Sequence, residues 1–220
     1  MRLPLLAAVT FALVAAAPAR DWRTQVVRTP AGAHLIGNPA ARVKLVEYAS
    51  YTCGHCAEFA AQSKAQLDPM IRSGSTSFEF RHLIRDGADL SAAILARCTG
   101  PRGFLSTSQA IFAAQADWLP RAIEYQRANG PRIANYPRLA QLRALADGSG
   151  LTRLVQARGL TAAATDACFA DEAEVDRILK MTQDAPASVT ATPSFLVNGQ
   201  AVPHADWARL APALRTRGAK

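Results

Sequence analysis

The chain has 220 residues, half of them apolar and 19% charged, which supplies enough apolar side chain for a buried core and excludes a compositionally disordered segment. Its 25 Lys and Arg against 17 Asp and Glu give a formal charge of +8. The basic residues are scattered, without the runs and interleaved aromatics that track a nucleic-acid backbone, so they read as a solvated surface. Four cysteines are too few for a disulfide-dense scaffold, and no uninterrupted apolar run of about 18 residues follows the N-terminus, which excludes a multi-span membrane protein.

Residues 1–19 read as an export signal. Arg2 gives a positive start, 5–17 is apolar apart from Thr10, and Ala17-Pro18-Ala19 places small residues where a signal peptidase reads. The apolar part is shorter than the roughly 20 residues of a spanning helix, which favours a cleaved signal over the alternative of an uncleaved anchor. Cleavage after Ala19 removes Arg2, leaves a formal charge of +7, and delivers the chain to a compartment where thiols can be oxidised.

Residues 43–48 are short, β-branched and nearly continuously apolar, as in a strand covered on both faces, and they run into the small polar turn 49–52. A helix follows, with Phe59, Ala60, Ser63, Leu67, Met70 and Ile71 on one face, Ser73-Gly74 as its stop and Pro69 expected to bend or end it early. Residues 76–84 alternate, placing Phe78, Phe80, His82 and Ile84 on one side of a second strand. His82 on this face reads as a hydrogen-bonded core histidine.

From about 86 to 185 the pattern becomes alanine-rich helices punctuated by glycine and proline, with apolar stripes at Leu90, Ile94, Leu95, Cys98 and at Val175, Ile178, Leu179, Thr182. Residues 194–197, Asn198-Gly199 and 200–202 then form a strong hairpin signal, because Asn-Gly accepts positive φ at both central turn positions. A last helix is expected from near His204 to about Arg215. The organisation is α/β: residues 20–85 and 186–220 form one sheet domain, and residues 86–185 form an inserted α-helical domain.

Cys53-Gly54-His55-Cys56 falls where the first strand ends and the helix begins. At i and i+3 on a first helical turn two sulfurs can bond, while free N–H groups and the helix dipole stabilise a thiolate at the N-terminal cysteine. Cys53 is thus the expected exposed nucleophile, and Cys56 the resolving thiol that attacks a mixed disulfide and releases the partner. His55 can add positive charge or a hydrogen bond near the Cys53 sulfur. A zinc site would need a second close Cys or His pair, whereas Cys98 and Cys168 stand apart, so no metal and no cofactor are expected. A c-type haem would need His directly after Cys56, where Ala57 stands, and a structural bond across two residues would close too short a loop to stabilise much.

Cys98 and Cys168 are candidates for a structural disulfide, against two buried free thiols or a second redox pair. Glu47 shares a strand face with Val43 and Leu45, where a lone carboxylate is expensive unless it has a role. That role could be to shuttle the Cys56 proton, and the alternative is an acid at a wet strand end. Thr192-Pro193 precedes the later strand, where proline fits only at a strand's start or edge.

The export signal, residues 47–56, the helical insertion and Ala191-Thr192-Pro193-Ser194-Phe195 together resemble the DsbA-type branch of the thioredoxin superfamily. The resemblance implies a thioredoxin fold with an inserted helical domain, a cis Pro193 facing the active-site cysteines, a Thr192 that helps receive extended substrate, and Glu47 as the buried carboxylate. It implies a periplasmic thiol-disulfide oxidoreductase that oxidises reduced, unfolded secreted proteins and is re-oxidised by a DsbB-type membrane protein. The Gly54-His55 dipeptide departs from the Pro-His of the best-known members and is similar to that of protein disulfide isomerase, which implies a potential nearer about −180 mV than about −120 mV. Nothing before Val43 is long enough for a DsbC-type dimerisation domain, so a monomer without nucleic-acid partners is expected. The alternative functions are a disulfide reductase or isomerase, or a peptide-binding holdase with incidental cysteines.

Overall fold

The computed structural model describes residues 20–220 except His204, so the expected export signal over 1–19 lies outside the described residues. The chain enters through two short strands, β1 (Val26–Arg28) and β2 (His34–Gly37). It continues through β3 (Val43–Ala49), α1 (Gly54–Arg72) and β4 (Thr76–His82). The helices α2 (Gly87–Cys98), α3 (Gly100–Ala113), α4 (Gln115–Ile133) and α5 (Arg138–Ser149) follow. After them come α6 (Leu151–Gln156), α7 (Ala162–Cys168) and α8 (Glu172–Gln183). The sheet resumes with β5 (Ser194–Val197) and β6 (Gln200–Val202), and α9 (Trp207–Thr216) closes the chain.

The strands form one sheet in the order β1-β2-β4-β3-β5-β6. β3 and β4 are parallel, as the α1 crossover between them requires, and the other neighbouring pairs are antiparallel. β3 is therefore central, flanked by β4 and β5. β1 and β2 carry no periodicity that three or four residues could reveal, and their strand state comes from pairing along the β4 edge.

α1 lays Cys56, Phe59, Ser63, Leu67, Met70 and Ile71 against the sheet, and Phe59 packs on Phe195 with ring centroids 4.4 Å apart. Burying one such phenylalanine contributes about 2–3 kcal/mol. Pro69 does not end this helix early. It sits in the last turn before the Ser73 cap, where the missing N–H costs one hydrogen bond and burial of Met70 and Ile71 holds the turn wound. The hairpin turn has positive φ at both Asn198 (52°) and Gly199 (80°). Asn198 also ties the turn to β3, accepting from the Lys44 N–H at 2.8 Å. α9 begins later than the sequence indicates, because Asp206 caps it by accepting from the Arg209 N–H.

The seven helices between β4 and β5 share a continuous core with the sheet, through residues such as Phe104, Ile111, Phe112 and Trp118. The buried Arg97 guanidinium joins α2 to α8 through Glu174 at 2.5 Å and to the β1–β2 connection through the Gly32 carbonyl at 2.9 Å. Cys98 and Cys168 are disulfide-bonded, tying the end of α2 to the end of α7 across 70 residues. His82 is a core histidine, but neither ring nitrogen has a hydrogen-bond partner among the described residues. Aromatic packing against Phe80 and Phe104 surrounds it instead, and burial holds its pKa well below the usual value.

The length of the loop closed by Cys98–Cys168 predicts that a Cys98→Ala, Cys168→Ala variant loses about 2–4 kcal/mol of unfolding free energy in denaturant titration. Alkylation of Cys53 in that variant is expected to be unchanged.

Candidate active site

β3 delivers the chain to the turn 50–53, and α1 starts at Gly54 with Cys53 as its N-cap. The extended backbone of Cys53 (φ −95°, ψ 118°) turns its carbonyl into the helix, where it accepts from the Ala57 N–H at 3.3 Å. The unpaired N–H groups of the first turn are left near the Cys53 sulfur. The Thr192–Pro193 peptide, which leads into β5, is cis, and the Cys53 thiol donates to the Thr192 carbonyl at 3.2 Å. Cys53 is thus not the exposed sulfur expected from sequence: it is 5% exposed, covered by the segment before β5. Cys56 is fully buried one turn further in.

The two thiols are strongly inequivalent. Hydrogen bonding from Cys56 lowers the Cys53 pKa most, burial opposes it, and the Thr192 side chain and the backbone N–H groups of Cys56 and His55 lower it further, to about 5. Cys56 is pushed far up, by its partner Cys53, by burial and by the charge of Glu47, so it remains a thiol. At neutral pH the pair is one thiolate and one thiol, the state needed for exchange. The His55 ring is 82% exposed and faces Glu58, with Nδ1 3.2 Å from Oε2. What His55 gives the Cys53 sulfur is its backbone N–H.

Glu47 lies on β3, in register with Phe80 on one side and Phe195 on the other. It is 3% exposed, and its Oε1 has no partner among the described residues. Burial first, and the charge on Cys53 second, raise its pKa to about 8. A narrow cavity of about 40 Å³ runs beside it, lined also by Ser63, Lys64, Ser108 and Gln109. That is larger than one water molecule needs. The carboxyl is therefore buried and largely protonated at neutral pH, on the strand that leads to the two cysteines.

Asp89 and Ser108 belong to the site although nothing in the sequence singled them out. Asp89, buried on α2, accepts from the Tyr51 N–H at 2.7 Å and the Arg85 N–H at 3.1 Å, and Ser108 on α3 pairs with the Tyr51 hydroxyl at 2.6 Å. Burial raises Asp89 to about 7. From sequence Asp86 and Asp89 look alike, two acids at a helix start, but Asp86 is the cap, accepting from the Asp89 N–H at 2.8 Å. Among the described residues no three His, Cys, Asp or Glu side chains gather as a metal-binding group.

Alkylation of the reduced protein is expected to titrate Cys53 with a midpoint near 5. Because that value lies below the ordinary 9.0, the thiolate stabilises the fold fully above about pH 9, and this stabilisation is lost as pH falls through about 5. The unfolding free energy of the dithiol form minus that of the Cys53–Cys56 disulfide form is therefore expected to rise between those limits. A flat difference would show the thiolate to be unstabilised.

The thioredoxin family profile matches residues 29–215. A Rickettsia bellii protein named as a protein-disulfide oxidoreductase is 28% identical over 170 residues, 75% of this chain and 56% of that one. The chain thus spans about half the length of this curated relative, and less of the other Rickettsia proteins it matches. The crystal structure of a protein-disulfide isomerase from Novosphingobium aromaticivorans aligns with a TM-score of 0.78 at 33% identity, covering 84% of this chain and 97% of that one. Wolbachia pipientis alpha-DsbA1 aligns with a TM-score of 0.65 at 23% identity over 86% of this chain and 91% of that one, a likeness of fold. With the sheet, the inserted helices and the paired cysteines at the head of α1, the chain belongs to the thioredoxin family.

Proposed function

We propose that the protein is an exported, periplasmic thiol-disulfide oxidoreductase that introduces disulfides into reduced, unfolded secreted proteins. The observation that carries this reading is the placement of Cys53 as the N-cap of α1, one turn from Cys56 and against the Thr192–Pro193 segment, a setting that lowers the Cys53 pKa to about 5. A stabilised thiolate is a good leaving group and favours the dithiol enzyme, which makes the disulfide form an oxidant.

A client thiolate attacks Sγ of Cys53, the Cys53–Cys56 bond breaks, and Cys56 leaves with the electron pair and takes a proton from Glu47, the buried acid near it. A second client thiolate then attacks the client sulfur of the mixed disulfide and releases Cys53 as a thiolate. The client gains one disulfide, and the enzyme holds the two electrons as a dithiol. The sulfurs carry the electrons, so no cofactor is invoked. Thr192, whose carbonyl meets the Cys53 thiol, stands where an extended client backbone would pass.

Turnover then needs an electron acceptor, for which a DsbB-type membrane oxidase is the partner proposed. Periplasmic export draws support from the signal-like residues 1–19 and from Cys98–Cys168, since structural disulfides persist in oxidising compartments. A monomer suffices for this chemistry. A second reading, disulfide isomerase, is favoured by the 33% identity to a protein-disulfide isomerase structure. There Cys56 would attack the mixed disulfide and expel the client thiol.

In Cys56→Ala, expressed with residues 1–19 intact, the Cys53 thiolate is expected to attack client disulfides, expelling one client thiolate each time. With no Cys56 to resolve the product, thiol-labile adducts are expected to accumulate in periplasmic extracts on non-reducing gels. A folded variant without adducts would defeat the nucleophile assignment. Purified disulfide-form enzyme is expected to oxidise a reduced, unfolded client one for one, whereas an isomerase acts on scrambled clients as the dithiol. Glu47→Gln is expected to slow mixed-disulfide formation about 10-fold or more and to remove the inflection near pH 8 that Glu47 contributes. An unchanged pH profile would exclude proton transfer by Glu47.

A further inference from the structure

The turn that presents the nucleophile is held chiefly by the helices that follow β4. Within the turn, the Cys53 N–H donates to the Ser50 carbonyl at 3.2 Å and the Ser50 hydroxyl meets Thr52. Arg85 donates to the Thr52 carbonyl at 3.5 Å, and the other polar anchors of Tyr51, Thr52 and the Cys53 backbone from beyond α1 come from the start of α2 and from α3 and α4. The Thr52 hydroxyl donates to Asp86 at 2.8 Å, and Asp89 and Ser108 take the Tyr51 N–H and hydroxyl. Gln115, the first residue of α4, is buried, and its Nε2 donates to both the Tyr51 carbonyl at 2.7 Å and the Cys53 carbonyl at 3.0 Å.

Those two carbonyls flank Thr52 and cannot both be met by the helix, since only the Cys53 carbonyl has a helical donor, the Ala57 N–H at 3.3 Å. We propose that Gln115, acting with Asp89, is the positioning residue through which the inserted helices hold the Cys53 backbone in the orientation that disulfide exchange requires. One side-chain amide spans the turn from above α1 while one carboxylate holds it from α2, so the N–H of Tyr51 and the carbonyls of Tyr51 and Cys53 are all fixed by the insertion. The direction in which Sγ projects over the first-turn amides follows from that backbone. A shift of a few tenths of an ångström would lengthen the hydrogen bonds to the sulfur, which weaken steeply with geometry. Neither residue touches the reacting sulfurs. The inference rests on the oxidoreductase reading and assigns part of its machinery to the helical insertion.

The test is the alkylation midpoint of Cys53 in the full-length, reduced protein. Gln115→Met keeps the length of the side chain and removes its donor. It is expected to raise the midpoint by about one pH unit, a tenfold loss of thiolate at a fixed pH below both midpoints. Gln115→Asn, which keeps an amide on a shorter stem, is expected to recover part of the shift. Val155→Ala weakens the helical core at α6 (Leu151–Gln156), which makes no hydrogen bond to the turn among the described residues, and it is expected to lower stability with the midpoint in place. If Gln115→Met does not fold, Asp89→Asn serves: it retains one acceptor for the Tyr51 N–H and loses the other, and it too is expected to raise the midpoint. A folded Gln115→Met or Asp89→Asn with the wild-type midpoint overturns the inference, as does an equal shift in Val155→Ala. A wild-type midpoint near 9 would instead overturn the oxidoreductase reading, so the two failures are separable.

Discussion

A negative charge on one sulfur, held by dipoles and hydrogen bonds in a nearly dry setting, is the interaction on which this structure depends. No cation faces Cys53 among the contacts that set its pKa; the stabilisation comes from the Cys56 thiol, the Thr192 side chain and the backbone amides of Cys56 and His55. Each is a weak partner, and together they outweigh burial. The fold serves to bring them together. β3 ends at the centre of the sheet, α1 must begin there because β3 and β4 are parallel, and β5 on the other side of β3 brings the Thr192–Pro193 segment over the sulfur.

The acids near this sulfur obey the same burial physics with the opposite result. Glu47 and Asp89 are raised to about 8 and about 7 because neither has a cation to offset its desolvation. Charge on Cys53 raises Glu47, and charge on Glu47 raises Cys56. Glu47 and Cys53 therefore act on stability with opposite signs. The raised Glu47 stabilises the fold below about pH 4.5, an effect lost as pH rises through about 8, while Cys53 gains over much of the same range. With Cys53 ionised and Glu47 largely protonated at neutral pH, a proton is available on the carboxyl when the disulfide opens.

The helical insertion has its own fixed points, kept apart from the reactive pair. Cys98–Cys168 ties α2 to α7, and buried Arg97 is met by Glu174, Gly32 and His34, as a charge taken out of water must be. α2 thereby joins the sheet side and the helical side in one frame. From the head of that helix Asp86 and Asp89 reach the active-site turn, so the insertion meets the cysteines through this end of α2 and not through the disulfide at its other end.

What could be read from the chain alone is what depends on residues close together in it. The i, i+3 cysteines at a strand-to-helix junction, the apolar face of α1, the alternation of β4 and the Asn198-Gly199 turn are steric and periodic facts of a few consecutive residues, and they specify the reactive pair and much of the fold. The placement of Pro193 beside it was legible only through family resemblance, since 139 residues separate Cys53 from Thr192. β1 and β2, the covering of Cys53, the outward turn of the His55 ring, the bare nitrogens of His82, and the contacts of Asp89 and Gln115 left no local signature. Each is decided by which distant backbone or side chain arrives beside the residue and displaces water there, and only the folded chain settles that.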